Sequence, residues 1–295
     1  MTEPDEFTRR QILAAAEKAL RAADVVGVLP TPLDVVTQAV GLGPVVDIGE
    51  LPPGIAAKKP RAWKRILGAL LYRERLAFID LSQTEPRARL THGHEIGHRI
   101  LPWHQGAFQL DGCEHLLGMT RDRLELEAYL AGGHLLFQGP RFTEHALGYQ
   151  VSIKTPIALA ADYAASMHAT IRYYALHMPD PVAVLIAGRY TPATSVPVWN
   201  SIESPSFLPQ FGRLAERMPQ GRLQIAGGHA APLGDIAHTA MTRAEVAAKE
   251  IMIPDLRGER RHFVAEAFFN QHNLFVMVTE RRVRRLGRRV RVQAG

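Results

Sequence analysis

Apolar residues in the first half of the chain recur every three or four positions over long stretches, which is the spacing of one face of an α-helix. This pattern predicts a helix from Phe7 to Ala23 and a shorter helix that begins after Pro30-Thr31-Pro32 and runs to about Val40. Thr31 is the predicted cap of the shorter helix, because a threonine hydroxyl can accept from its first free N–H groups. A third pattern, from about Thr120 to Phe137, predicts a longer helix.

Short apolar runs bounded by turn residues predict strands between these helices. Val45 to Ile48 is one such run, and Ile66 to Tyr72 with Leu76 to Leu81 predicts a β-hairpin. Glu85-Pro86 then begins a helix that stops at Pro102, since proline is tolerated only in the first turn. A stretch of about twenty residues without clear periodicity follows and predicts a loop.

The middle of the chain has the order of a helix-turn-helix. Thr155-Pro156 begins a helix, Ala164-Ala165-Ser166 predicts a turn, and Met167 to Tyr174 predicts the second helix. That second helix offers one arginine, Arg172, among mostly apolar residues, whereas a helix that reads a DNA groove needs polar groups. A packing role is therefore favoured over DNA contact.

Beyond the predicted linker Met178-Pro179-Asp180-Pro181, the pattern is mainly that of strands. The predicted strands are Val182 to Ala187, Leu223 to Ala226, Phe263 to Phe269 and Leu274 to Thr279. The proline-rich stretch from Pro192 to Pro209 is predicted to be irregular. These elements predict an α+β protein with three parts: a first domain over residues 1–140, a helical segment over 141–180, and a smaller α+β accessory domain over 181–295.

The composition describes a globular protein that can bury a core, with 46% hydrophobic and 22% charged residues. No apolar run approaches the roughly 20 residues that cross a bilayer, and the acidic start Met1 to Glu6 is unlike a secretory signal. Cys113 is the only cysteine, so an intrachain disulfide is excluded. We therefore expect a cytoplasmic protein without a membrane anchor.

The net charge of +6 comes from one segment. Seven arginines and no acids lie between Arg281 and Arg291, so the remainder of the chain has a net charge of −1. The basic character is thus local and does not indicate a general nucleic-acid-binding surface. Direct nucleic-acid binding through Arg281 to Arg291 is a minority interpretation.

The segment His94-Glu95-Ile96-Gly97-His98 carries the H-E-x-x-H motif. On a helix, positions i and i+4 lie about 40° apart, so His94 and His98 project from one face and can share one ion. Glu95 lies beside them, where its carboxylate can take a proton from a water molecule. The motif therefore supplies two zinc ligands and a general base, most of a metallohydrolase site.

A zinc site with two histidines needs a third protein ligand, and with one cysteine in the chain a carboxylate is the expected type. Glu125 and Glu127 lie on the predicted helix that ends at Phe137. Because residues i and i+2 of a helix point about 200° apart, only one of the two can face the metal. Spacing alone leaves that choice open.

The two motifs together resemble the ImmA/IrrE family of metallopeptidases. Residues Thr91 to His98 match the family's Thr-x-x-His-Glu-x-Gly-His helix, and Glu125 to Leu136 matches its later Glu-x-Glu/Gln-Ala-x-x-Phe-Ala-x-x-Leu-Leu helix. The likeness covers about residues 30 to 140 well and extends weakly to about 185. It departs at His92-Gly93, where Leu and Ala are usual, and at Ala131-Gly132, which replaces Phe-Ala.

This resemblance implies a zincin-like domain in which His94, His98 and Glu125 hold Zn2+ and Glu95 is the catalytic base. It further implies an endopeptidase whose protein substrate is a helix-turn-helix transcriptional repressor, cleaved in a stress or DNA-damage response. Family members of the IrrE type carry a sensor-like domain in the place of residues 181–295. The alternative is a zinc-containing regulatory or sensor protein that acts by binding protein or DNA, without proteolysis.

Other histidines in the first half of the chain are not expected to bind the metal. His92 lies two residues before His94 and His134 nine residues after Glu125, so both should point away from the metal. The irregularly spaced loop residues after Pro102 are expected to be solvated; they are His104, Asp111, Cys113, Glu114 and His115. Candidates for the cleft or for stabilising an oxyanion are Arg172, Tyr173 and Tyr174.

Overall fold

A computed structural model describes residues 4–50, 67–111, 118–188, 195–224, 232–243 and 245–281. The chain forms two compact units: Met1–Phe142 with Ala161–Ser166, and Thr143–Ala160 with Met167–Gly295. The segment 141–180, predicted as a separate helical part, contributes to both units. Helices and strands both contribute substantially, so the predicted α+β class is confirmed.

The first unit is mainly helical. Its helices are α1 (Glu6–Ala22), α2 (Leu33–Ala39), α3 (Glu85–Ile100), α4 (Pro102–Asp111) and α5 (Gly118–Phe137). Asp5 caps α1 by accepting from the Thr8 backbone N–H at 2.8 Å. The prediction that Thr31 caps α2 is wrong, because the Thr31 hydroxyl donates instead to the carbonyl oxygen of Leu136, 3.3 Å away.

A small sheet lies against α3. Its strands are β1 (Val46–Asp47), β2 (Gly68–Leu71) and β3 (Leu76–Ile79). The predicted hairpin is confirmed, since β2 and β3 are antiparallel, while β1 joins the other side of β3 in parallel. The central strand β3 buries Ala77, Phe78 and Ile79. Among the described strands, β2 pairs only with β3 and so lies at an edge of this sheet.

The predicted loop after α3 is partly wrong. The chain turns at Leu101 and forms α4 from Pro102, where proline is compatible with a first helical turn. Leu101 is fully buried and packs with Ile12 and Ala131. This anchor fixes the direction in which α4 leaves α3.

An ion-pair cluster joins α1 to the chain after α5. The guanidinium of Arg141 donates to both carboxylate oxygens of Glu17, at 3.0 and 2.9 Å, and Arg21 donates to Glu17 at 3.0 Å. The hydrogen bond from Arg141 is the main reason why the pKa of Glu17 falls from about 4.5 to about 2. Paired guanidinium donors favour the ionised carboxylate.

We expect Glu17→Gln to lower the free energy of unfolding at pH 7 by about 1 kcal/mol, the size of a partly solvated ion pair. Because the pKa of Glu17 is lowered on folding, the contribution is complete above about pH 4.5 and is lost as the pH falls towards 2. Urea unfolding of both proteins at pH 7 and at pH 3.5 measures this difference.

The matched control is Glu6→Gln on the same helix. Glu6 and Arg10 form an ion pair with 69% and 75% exposed side chains, so this substitution should change stability little at either pH. A Glu17→Gln deficit that is equal at the two pH values would contradict the assignment to the Glu17 carboxylate.

The second unit contains a six-stranded antiparallel sheet in the order β6-β5-β4-β9-β8-β7. Its strands are β4 (Val182–Ala187), β5 (Ser195–Glu203), β6 (Arg222–Gln224), β7 (Ala247–Pro254), β8 (Arg260–Phe269) and β9 (Leu274–Glu280). The other helices are α6 (Pro140–Leu147), α7 (Lys154–Asp162), α8 (Met167–His177), α9 (Leu208–Phe211) and α10 (Pro232–Arg243). The central strands β4 and β9 are buried on both faces, as continuous apolar runs predict.

Three predictions in this unit have a clear outcome. The helix pair α7 and α8 forms at the predicted positions, and α8 buries Ile171, Tyr174 and Ala175, which agrees with a packing role. The stretch predicted as irregular contains the nine-residue strand β5. Helix α10 and strand β7 have no counterpart in the prediction.

The arginine segment lies almost wholly outside the described residues. Arg281 is described, and its guanidinium donates to the Glu250 carboxylate at 2.6 Å. Within the described parts of the chain, no helix is long and apolar enough to cross a membrane.

Candidate metal centre

Helix α3 places two imidazoles together. His94 and His98 are four residues apart, and their Nε2 atoms lie 3.1 Å from one another. His98 is buried, with 7% of its side chain exposed, and His94 is 19% exposed. The helical spacing therefore brings both rings to one partly closed position, as the motif predicts.

Close packing between α3 and α5 brings the third group to this position. Gly97 and Gly93 on α3 face the backbone of Ala128 and Gly132 on α5. A Cβ atom at Gly97 would lie 2.5 Å from the Ala128 carbonyl oxygen, and one at Gly132 would lie 2.7 Å from the Gly93 carbonyl carbon. Two pairs of small residues at i and i+4 thus let the backbones touch.

This approach carries Glu125 to the two histidines. The Glu125 Oε2 atom lies 3.1 Å from His94 Nε2 and 3.8 Å from His98 Nε2. His94, His98 and Glu125 are a group whose ligand atoms all lie within 4.8 Å of one another. Of the two acids left open by spacing, Glu125 is the one that joins the histidines.

The donor set fits a divalent cation such as Zn2+. Imidazole nitrogen and carboxylate oxygen are its usual ligands, and donors about 2.0–2.1 Å from a tetrahedral ion lie about 3.3 Å from each other. The three separations here, 3.1, 3.1 and 3.8 Å, bracket that value. Converging lone pairs repel unless a cation or a proton lies between them, so the group can hold a metal ion.

The electrostatics of the three donors are strongly coupled. Burial opposes a charged His94, yet the Glu125 carboxylate and the nearby Glu95 raise its pKa above the usual value. Burial lowers the pKa of His98 despite the hydrogen bond to Glu125. Burial acts to raise the pKa of Glu125, but the two histidines outweigh it and hold this pKa well below its usual range. Glu125 is therefore ionised and attracts positive charge to this position.

Glu95 lies beside the group and is almost completely buried, with 5% exposure. Its carboxylate packs on the backbone of Gly68 in edge strand β2, where an added Cβ would lie 2.6 Å from Glu95 Oε1. Burial raises the pKa of Glu95 to about 7, with His94 opposing this shift. The hairpin is tied to the same helix by Tyr72, whose hydroxyl donates to the His98 carbonyl oxygen at 3.0 Å.

His104 and Glu127 form a second layer behind His98. His104 Nδ1 lies 2.9 Å from His98 Nδ1, and His104 Nε2 lies 3.1 Å from Glu127 Oε2. Glu127 also accepts from Trp103 Nε1 at 2.6 Å and from Arg123 Nε at 2.8 Å. The prediction that His104 is a solvated loop residue is wrong, since it is fully buried.

The ionisation of this layer follows from its contacts. Burial lowers the pKa of His104 to about 4, so its ring is neutral at pH 7. Burial alone would raise the pKa of Glu127, but the three hydrogen bonds from Trp103, Arg123 and His104 lower it, so the carboxylate is ionised. The sequence offers one indication of these contacts. Glu127 points about 200° away from Glu125 on the helix, and a carboxylate buried there needs hydrogen-bond donors other than the metal-site histidines.

Neither His92 nor His134 is a ligand. His92 is buried, and its Nε2 lies 2.6 Å from the Thr37 hydroxyl; burial lowers its pKa to about 4. His134 is also buried and packs beside Gly139, with Nε2 3.9 Å from Glu17. Neither belongs to the group formed by His94, His98 and Glu125, as the helical spacing predicts.

The other candidates lie elsewhere in the chain. Tyr173 and Tyr174 belong to α8 of the second unit, where Tyr174 is fully buried and Tyr173 stacks on His177. Their role near an oxyanion, and that of Arg172, stays a prediction. Cys113, Glu114 and His115 lie outside the described residues, as does the side chain of Asp111.

Comparisons with known proteins give a likeness of fold. No family model and no curated protein matches the sequence. A solved structure described as a Mycobacterium tuberculosis transcriptional regulator aligns with 91% of this chain and 75% of its own, with a TM-score of 0.53 and 13% identity. At that identity the likeness concerns the fold alone.

Proposed function

We propose that this protein is a zinc-dependent endopeptidase of the ImmA/IrrE type, with a zincin-like first unit, and that it acts in the cytoplasm. The observation that carries the proposal is the convergence of His94, His98 and Glu125 beside a buried glutamate. The order of the two motifs along the chain, and the edge strand next to Glu95, also support it. An edge strand has free backbone groups that can align an extended peptide.

His94, His98 and Glu125 would hold the metal, and Glu95 would move the proton. A bound Zn2+ supplies a Lewis acid that polarises a carbonyl group and makes water easier to deprotonate. The Glu95 carboxylate accepts a proton from the water that attacks the scissile carbonyl and then donates it to the leaving amine nitrogen. The backbone of Gly68 leaves room for this carboxylate to lie against β2.

The proposed substrate is a helix-turn-helix transcriptional repressor whose cleavage relieves repression during stress or DNA damage. This assignment follows from the family resemblance of the two motifs, and the transcriptional regulator with a similar fold is compatible with a regulatory role. The second unit would then be the accessory, sensor-like part.

Purified protein tests this proposal directly. A repressor encoded beside this chain's gene is incubated with it, and the products are identified by mass spectrometry. We expect one equivalent of zinc per chain, cleavage at a defined peptide bond, loss of cleavage with a chelator, and recovery when zinc is restored. A protein that carries one zinc but leaves an adjacent repressor, casein and a peptide library intact would overturn the assignment as a peptidase.

A second candidate is a zinc-containing regulatory protein that acts by binding. The regulator-like fold and the run of seven arginines from Arg281 to Arg291 favour it. If the arginines bind nucleic acid, affinity for duplex DNA should fall steeply with salt, and replacing these arginines by glutamine should flatten that dependence. Salt-independent or absent binding to DNA would exclude the DNA-binding form of this candidate.

A further inference from the structure

We propose that His104, held by Glu127, is a positioning residue that fixes the ring of His98 for metal binding. The inference rests on the proposed metal site and deepens it. Its basis is the chain of contacts from His98 Nδ1 through the His104 ring to Glu127, with separations of 2.9 and 3.1 Å. This chain leaves the opposite side of the His98 ring, at Nε2, facing His94 and Glu125.

The direction of each hydrogen bond follows from the groups involved. Glu127 Oε2 already accepts from Trp103 Nε1, so His104 Nε2, 3.1 Å from the same oxygen, is placed to donate to it. In this tautomer His104 Nδ1 carries a lone pair, which can accept from an N–H at His98 Nδ1, 2.9 Å away. His98 Nε2 is therefore left without a proton, and its lone pair faces the position between His94 and Glu125.

Burial makes this arrangement specific. His104 is fully buried and the Glu127 side chain is 1% exposed, so water does not compete for either group. Trp103 and Arg123 hold the carboxylate from two helices, since Trp103 lies on α4 and Arg123 on α5. Outer groups that fix a metal-binding histidine typically change metal affinity by 10- to 100-fold.

A purely structural role for His104 predicts a different result, and two substitutions separate the roles. His104→Phe keeps a buried ring but has no acceptor for His98. His104→Asn places its Oδ1 near the position of the imidazole Nδ1, so it can still accept from His98 while losing contact with Glu127. If His104 only fills space, Phe should be the milder change; if it orients His98, Asn should be milder.

The experiment measures the Zn2+ dissociation constant by competition with a chromophoric chelator, together with urea unfolding of the metal-free protein. We expect His104→Phe to bind zinc about 10- to 100-fold more weakly and His104→Asn to recover most of that loss. The Co2+ complex should show the same order through its visible absorption spectrum. His134→Phe, at a buried histidine of the same unit outside this chain of contacts, is the control and should leave zinc affinity unchanged.

Equal zinc affinity of the wild type and His104→Phe would overturn the inference. It would also be overturned if zinc affinity fell across the variants only in proportion to their loss of folding stability. A wild-type protein without measurable zinc binding would instead refute the metal site. In that case the nitrogen-15 shifts of the metal-free histidines decide the inference. A proton on His98 Nδ1 that moves to Nε2 in His104→Phe would uphold it, and a proton on Nε2 in the wild type would overturn it.

Discussion

For the proposed peptidase, we expect replacement of Glu95 by glutamine to lower the rate of peptide cleavage by about 10²- to 10⁴-fold, the usual contribution of a well-placed general base. Glutamine has nearly the same shape and fits the same space beside Gly68, but its amide cannot accept a proton from water. Glu95 is not one of the three grouped donors, so zinc content should stay at the wild-type level. The expected result is therefore an inactive protein with its metal in place.

Two measurements on the same preparation check this result. Inductively coupled plasma mass spectrometry gives the zinc content per chain, and initial rates give the activity towards the repressor. His98→Ala is the contrasting variant, because it removes a donor of the metal group and should lose both zinc and cleavage. An unchanged cleavage rate in Glu95→Gln would exclude Glu95 as the base. Loss of zinc in Glu95→Gln would mean that this carboxylate supports the metal group instead.

The parts of the site that depend on one helix are predictable from the sequence. The shared face of His94 and His98 and the opposed directions of Glu125 and Glu127 follow from helical geometry alone. Which glutamate meets the histidines depends on how α3 and α5 pack, and the sequence settled this only through a family resemblance. His104 was missed because burial of a polar residue depends on partners on another helix, here Glu127 on α5.

In the fold as well, some strands can be predicted from the local sequence, while others depend on pairing with distant segments. Continuous apolar runs predict the central strands β4 and β9, which are buried on both faces. Strand β5 contains Pro197 and exposes Trp199 and Asn200, and β7 exposes Ala248, Lys249 and Glu250 in succession. Their pairing with β4 and β8 decides their conformation, and local sequence does not reveal it.

A graded set of glycine substitutions should separate α3 from α5 and weaken the metal site. At Gly106 an added Cβ meets no described atom within 4 Å. At Gly93 it would lie 3.2 Å from the Gly132 carbonyl oxygen, and at Gly97 it would lie 2.5 Å from the Ala128 carbonyl oxygen. The atoms met at Gly93 and Gly97 belong to the backbone of α5, so no side chain can rotate away. Gly97→Ala therefore forces the helices apart, at a cost of about 1–3 kcal/mol for an overpacked contact.

The metal responds because Glu125 lies on α5 and the two histidines on α3, so separating the helices moves one donor away from the other two. We expect Gly97→Ala to lose more unfolding free energy and more zinc affinity than Gly93→Ala. Zinc binding weakens about tenfold for each 1.4 kcal/mol by which a substitution destabilises the metal-bound form more than the metal-free form. Gly106→Ala lies on α4 in open space and should be neutral or more stable by about 0.5–1 kcal/mol, because alanine favours a helix. Urea unfolding and chelator competition on the three variants measure both quantities. Wild-type zinc affinity in a destabilised Gly97→Ala would show that the helix contact supports the fold without setting the distance between Glu125 and the histidines.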